Sequence, residues 1–205
     1  MLILGIDEAG RGPVIGPLVM VGFLIDESQE PELKELGVRD SKKLCERRRE
    51  ELEPQLREMG QVFMEVIRPW QIDAENLNLL ERKAAKKLIL KSKPNKAIVD
   101  AFERNLSVKL ATPGVSIVAE HKADDTYPVV SAASIVAKVH RDGVIRALTE
   151  EFGPMGSGYP SDPDTRVFVE TWLRDKKTFP DFLRRSWGTT RDILDLIQQK
   201  RLGDF

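Results

Sequence analysis

The sequence predicts an α/β protein: a mixed β-sheet flanked by helices, with a small helical extension at the C-terminus. Three observations carry that prediction. Short apolar runs rich in β-branched residues stand at 2–7 (LILGID), 17–25 (PLVMVGFLI) and 61–68 (QVFMEVIR), the first two joined by a Gly/Pro-rich turn. Runs of this kind open a sheet with antiparallel strands. Further along, helical periodicity alternates with short strand signals, which builds the rest of the sheet from crossovers. Finally, GPMGSGYPSDPDT (153–165) is too dense in Gly, Pro, Ser and Asp to hold regular structure, and two helical segments follow it.

The elements follow in order. Residues 43–59 place Leu44, Leu52, Leu56 and Met59 on one helical face, and 75–91 repeat the pattern with Leu77, Leu80, Ala84 and Leu88. KAIVDAF (96–102) is a compact strand signal ending at Asp100, and GVSIVAEH (114–121) is another, ending near Asp124. After Pro128, residues 129–152 form a long helix, apolar at Ile135, Val136, Val139, Leu148 and Phe152. Helices at 163–174 and 189–200 make the extension. The expected organisation is one domain over 1–153, then a boundary loop, helical extension and tail over 154–205.

Composition bounds the function. At 205 residues and 41% hydrophobic, the chain can bury a core, and no apolar run approaches the ~18 residues of a membrane span. The N-terminal apolar run has no basic segment before it and is cut by Gly5, Asp7 and Glu8, so it reads as a strand and not a signal peptide. The one cysteine, Cys45, excludes an internal disulfide framework and a multi-cysteine zinc site. A cytoplasmic protein is the expectation, and nothing in the pattern demands more than a monomer. With a net charge of −1, any polyanion must be held by local basic patches or metal ions. Charged residues at 32%, against an average of ~25%, hint at thermostability.

The acids raise the chemical question. Asp7, Asp100 and Asp124 each close or closely follow a short apolar strand, and Glu8 adjoins Asp7. Taken singly, a strand-end Asp also serves as a turn former or helix N-cap, and Asp100 would cap a helix starting at Ala101. Glu8 points away from Asp7 if the strand stays regular, so a shared site needs the backbone to turn there, which Gly10 and Gly12 permit. If the strands are neighbours, three or four carboxylates converge at one sheet edge. Close carboxylates raise each other's pKa, and divalent cations remove the conflict. Oxygen ligands without His or Cys suit Mg²⁺ or Mn²⁺, and two such ions clamp a phosphodiester.

The motif set resembles the ribonuclease HII family. IDEAGRGPVIGPLV (6–19), VRDSKKL (38–44), KAIVDA (96–101), HKADDTYPVVSAASIVAKVHRD (121–142) and GSGYPSDP (156–163) match its blocks in the expected order, through most of the chain. The resemblance implies a ribonuclease H-like fold with a C-terminal helical extension. It implies a metal-dependent endonuclease that cuts RNA in RNA–DNA hybrids and cuts 5′ of single ribonucleotides in duplex DNA, leaving 3′-hydroxyl and 5′-phosphate ends. By resemblance Asp7, Glu8, Asp100 and Asp124 are the four metal-binding acids, with Asp142 of the HRD triplet a rival to Asp124. Asp7 would bridge two Mg²⁺ or Mn²⁺ ions, with Glu8 and Asp100 completing one site and Asp124 the other. No histidine base is then required, which leaves His121 and His140 outside the chemistry.

The resemblance also assigns substrate contacts. Gly10-Arg11-Gly12 would touch the 2′-hydroxyl at the cleavage point, where bare backbone approaches a sugar closely. Tyr159, one of two tyrosines, would pack on the sugar after the ribonucleotide. Arg39, Ser41 and Lys42 precede a helix and can hold phosphate. Ser134 and Lys138, one turn apart, are expected to face the scissile strand. At the C-terminus Gln199, Leu202 and Phe205 have the spacing of a sliding-clamp-binding peptide, with one aromatic where two are usual. The other reading is an amphipathic tail folded on its own domain. Two rival functions stand beside the nuclease. A non-catalytic hybrid-binding protein should lack one of the acids, and a DNA-only nuclease or phosphatase has no use for a ribose-reading loop.

Overall fold

The computed structural model describes residues 1–38 and 44–203; Arg39, Ser41, Lys42 and Phe205 lie outside the described residues, and side chains are described as far as Gln199. Strands β1 (Leu2–Ala9), β2 (Leu18–Asp26), β3 (Gln61–Ile67), β4 (Lys96–Asp100) and β5 (Ser116–Glu120) form one five-stranded sheet in the order β3-β2-β1-β4-β5. The first three strands are neighbours in sequence order, and β1 and β2 make the antiparallel start that the apolar runs predict. β1 pairs antiparallel with β2 and parallel with β4, and β4 pairs parallel with β5, so the sheet is mixed.

The helices among the described residues are α1 (Glu30–Glu35), α2 (Glu46–Met59), α3 (Pro69–Ala74), α4 (Leu77–Ser92), α5 (Leu106–Lys109), α6 (Ala123–Thr126), α7 (Pro128–Phe152), α8 (Pro163–Lys176) and α9 (Gly188–Gly203). The long periodic segments are present within a few residues of their expected limits. The short α1, α3, α5 and α6 carry too few turns for periodicity to reveal. None of these helices is long and apolar enough to cross a membrane.

The chain packs as two units. The first comprises Met1–Ala9, Val19–Val66 and Leu77–His140; the second comprises Gly10–Leu18, Ile67–Asn76 and Arg141–Phe205. The loop at 153–165 falls within the second. In the first unit, Ile3, Val19, Val21, Phe23 and Ile25 of the sheet pack with Leu52 and Leu56 of α2 and with α7 residues from Val129 to Ala137. Gly5 makes the sheet–helix approach possible, since a Cβ there would lie 2.2 Å from the Val129 carbonyl oxygen. Gly22 faces the other side, toward Leu88 of α4.

In the second unit, Val14 and Ile15 pack with Ile145, Met155, Val169, Leu173, Leu183, Ile193 and Ile197. Phe152, Trp172 and Phe182 form an aromatic cluster with ring centroids 4.9–5.6 Å apart. Asp162 caps α8 by accepting from the N–H of Asp164, and Pro163 occupies its first turn.

Candidate active site

β1 carries the first two acids inside the strand and not at its end. Its pairing with β2 stays regular through Asp7↔Val21, Glu8↔Met20 and Ala9↔Val19. The backbone departs only at Gly10, where φ is +93°. The pleat therefore sends the Asp7 and Glu8 side chains to opposite sides of β1. Asp7 shares its side with Gly5 and so looks toward α7, whose Ser134 hydroxyl hydrogen-bonds its carboxylate. The Glu8 N–H donates to Asp7 Oδ1 at 2.8 Å.

Asp100 ends β4, one residue beyond the last β1–β4 pair, Ile6↔Val99. It does not cap a helix at Ala101, because α5 begins only at Leu106. Instead its Oδ1 accepts the N–H of Ala123 at 2.9 Å, which ties the end of β4 to the first residue of α6. Asp124 is the next residue on that turn and is buried. Local chain geometry thus gathers Asp7, Asp100 and Asp124 into one group.

The electrostatics of the group follow from burial. Asp7 is 5% exposed, and burial pushes its carboxyl up to about 7. The nearby Asp100 and Asp124 charges contribute to that rise, and the Ser134 hydroxyl and Glu8 N–H oppose it. An acid held this way awaits positive charge. Among the described residues no three His, Cys, Asp or Glu side chains form a ready-made metal cage. An open set of hard oxygen donors nevertheless suits Mg²⁺ or Mn²⁺. Magnesium in particular takes one or two carboxylates and fills its shell with water and phosphate oxygens.

The other expected site residues fall into place separately. Ser134 is buried and hydrogen-bonds Asp7. Lys138 is half-buried one turn later on α7. Asp142 pairs with Arg141 at 3.7 Å, and His121 is exposed. Gln199 is exposed near the end of α9, and the backbone of Leu202 continues that helix.

The glycine loop belongs to the second unit, where it stands beside Tyr159. A Cβ on Gly12 would lie 3.7 Å from the Tyr159 ring. Tyr159 remains 40% exposed, and the Arg141 guanidinium lies 5.0 Å from its ring centroid. Its loop is anchored on both sides: Gly158 receives the Val14 N–H at 2.8 Å and donates to Thr165 Oγ1 at 2.9 Å, while Arg141 donates to the Ser157 carbonyl at 3.1 Å. Gly10 tolerates no side chain, since its Cβ would sit 2.5 Å from the Pro17 carbonyl and 2.9 Å from Arg141.

Sequence reasoning missed Arg141, Arg184 and Trp187. Arg184 is fully buried and donates to the carbonyls of Gly16 (3.1 Å), Arg11 (3.0 Å) and Gly10. Trp187 Nε1 donates to the Gly12 carbonyl at 3.1 Å. The sequence gives no local signal for Arg184, which opens the polar run Arg184-Arg185-Ser186.

A family model described as Ribonuclease HII matches residues 4–190. A ribonuclease HII of Methanococcus maripaludis strain C5 is 43% identical over 98% of this chain and 90% of its own. The ribonuclease H2 of Pyrococcus horikoshii OT3 superposes with a TM-score of 0.88 at 38% identity, covering 97% of this chain and all of that one. The ribonuclease HII in a PCNA complex from Archaeoglobus fulgidus gives 0.85 at 42% identity, over 91% of this chain and 95% of that one. With a family model spanning most of its length and relatives this similar, the chain belongs to the ribonuclease HII family, endoribonucleases that cleave the RNA of RNA–DNA hybrids.

Proposed function

We propose that this ribonuclease also cuts 5′ of single ribonucleotides embedded in duplex DNA, leaving 3′-hydroxyl and 5′-phosphate ends, with two divalent ions as cofactors. The observation that carries the metal reading is the Asp7 carboxyl, held near pH 7 by burial beside Asp100 and Asp124. Bound there, Mg²⁺ or Mn²⁺ would supply an activated water and charge for the leaving oxygen. Asp7, Asp100 and Asp124 would hold the ions as one group. Glu8, whose side chain leaves the regular strand on the opposite side from Asp7, would have to reach round the end of β1 to join them. Ser134 and the Glu8 N–H keep Asp7 oriented and favour its charged form.

Substrate choice falls to the second unit. Gly10-Arg11-Gly12 offers backbone donors and acceptors to a 2′-hydroxyl, and Tyr159 beside Gly12 offers a ring face to the next sugar. Lys138, with Arg39, Ser41 and Lys42, would hold phosphates. A second reading concerns a partner. Gln199, Leu202 and Phe205 would dock on a sliding clamp, supported by the PCNA complex of the Archaeoglobus fulgidus relative.

The test uses all-DNA, all-RNA, hybrid and single-ribonucleotide duplexes with Mg²⁺, Mn²⁺ or chelator. Cutting of the last two with metal only, 5′ of the ribonucleotide, is expected. Asp7→Asn should abolish both, and full activity in that variant would remove the metal assignment. Tyr159→Ala should lose more on the single-ribonucleotide duplex than on the hybrid.

A further inference from the structure

We infer that Arg184 and Trp187 are positioning residues that fix the backbone of Gly10–Gly12 in the orientation needed to read a ribose hydroxyl. The inference rests on the reading of that loop as the ribose contact. A trans peptide sets its C=O and N–H antiparallel, and no cis peptide occurs among the described residues. Whatever holds one group aims the other.

Arg184 uses its guanidinium fork on three carbonyls of the loop, those of Gly10, Arg11 and Gly16. Two of those bonds turn the peptide N–H groups of Arg11 and Gly12 to the side away from Arg184. Trp187 takes the next carbonyl, that of Gly12, and its ring lies 4.8 Å under the Arg184 guanidinium. Three consecutive carbonyls are thereby committed inward, in a stretch whose two glycines would otherwise sample many conformations.

The supporting segment is itself pinned. Asp73 of α3 accepts the N–H groups of Arg185 (3.0 Å) and Ser186 (2.9 Å), and Thr190 donates to the Arg184 carbonyl at 2.9 Å. Lysine cannot replace Arg184, because one ammonium on a flexible stem does not reproduce a planar fork spanning three acceptors. Phenylalanine at 187 keeps an aromatic ring under the guanidinium while removing the indole N–H together with part of the ring.

The experiment measures duplex affinity by fluorescence anisotropy in calcium, with the substrate checked for integrity, on two duplexes differing by one 2′-hydroxyl. Wild type is expected to prefer the ribonucleotide duplex by about threefold to tenfold, the size of one hydrogen bond. Trp187→Phe and Arg184→Lys should bring that ratio close to one while affinity for the all-DNA duplex holds. Variants that keep the wild-type ratio overturn the inference, as does an equal loss on both duplexes, the mark of general damage. If Arg184→Lys fails to fold, Trp187→Phe decides the matter alone. A wild type with no preference overturns the ribose-reading assignment itself, an outcome distinct from variants that retain a real preference.

Discussion

Replacing Asp7 by Asn should stabilise the metal-free enzyme while destroying its activity. The folded carboxyl titrates at about 7 against an ordinary value of 3.8, chiefly because it is buried. Below pH 3.8 both folded and unfolded chains carry the proton, and Asp7 costs nothing. Between 3.8 and 7 only the folded chain keeps it, so stability falls as pH rises, and above 7 the whole cost of the buried charge is present. A shift of about three units at ~1.4 kcal/mol each sets an upper limit of about 4 kcal/mol. Water entry and side-chain relaxation reduce such penalties, which leaves about 1–3 kcal/mol.

Asparagine has the same shape, carries no charge, and can donate to a neighbouring carboxylate. In chelator at pH 8 the variant should therefore melt above wild type by about 2–12 °C, given ~2–4 °C per kcal/mol for a chain of this size. The gap should close toward pH 4. The assay is a set of thermal melts of both proteins across pH 4–8, repeated with Mn²⁺, which should stabilise wild type more than the variant. A gap that does not vary with pH, or a variant less stable at pH 8, would refute the reasoning.

Other perturbations probe the same framework. Gly5→Ala places a Cβ 2.2 Å from the Val129 carbonyl, so β1 and α7 must separate; a loss of about 2–4 kcal/mol in denaturant unfolding is expected, with weaker cleavage as Ser134 leaves Asp7. Ser134→Ala removes a bond that lowers the Asp7 pKa, so the acid limb of the pH–rate profile should move to higher pH, with the alkaline side unchanged. Arg141→Leu removes the support of the Tyr159 ring and the bond to Ser157, and should cost the single-ribonucleotide duplex more than the hybrid in matched single-turnover rates.

What the sequence revealed depended on how far each signal reaches along the chain. The strands and long helices are legible because periodicity repeats within one segment. The three aspartates were visible as candidates, and Asp100 illustrates the limit. Its local pattern allows a cap on the residues that follow, whereas its carboxylate binds Ala123, 23 residues on. Ser134 shows the same limit: its helix face was legible, but its acceptor on β1 is a product of packing at Gly5. Arg184 was invisible for a related reason. Its acceptors lie 168 to 174 residues away, and no local pattern announces a guanidinium that reaches backbone carbonyls so distant along the chain.

That dependence on backbone acceptors bears on how the enzyme can vary. The packing boundary falls between Ala9 and Gly10, so consecutive residues answer to different supports. Asp7 is governed by the sheet, α7 and the α6 turn, and its variants should register in metal response and in stability against pH. The glycine loop is governed by Arg184, Trp187 and Arg141, and its variants should register in sugar discrimination. Carbonyls are present whatever residue occupies a position, so Arg184 would tolerate a changed side chain at 11. It would not tolerate a changed backbone at 10, where φ is +93° and the Pro17 carbonyl is close. Arg11→Ala should therefore retain ribose discrimination, while Gly10→Ala should lose it, and the contrast can be measured with the same pair of duplexes.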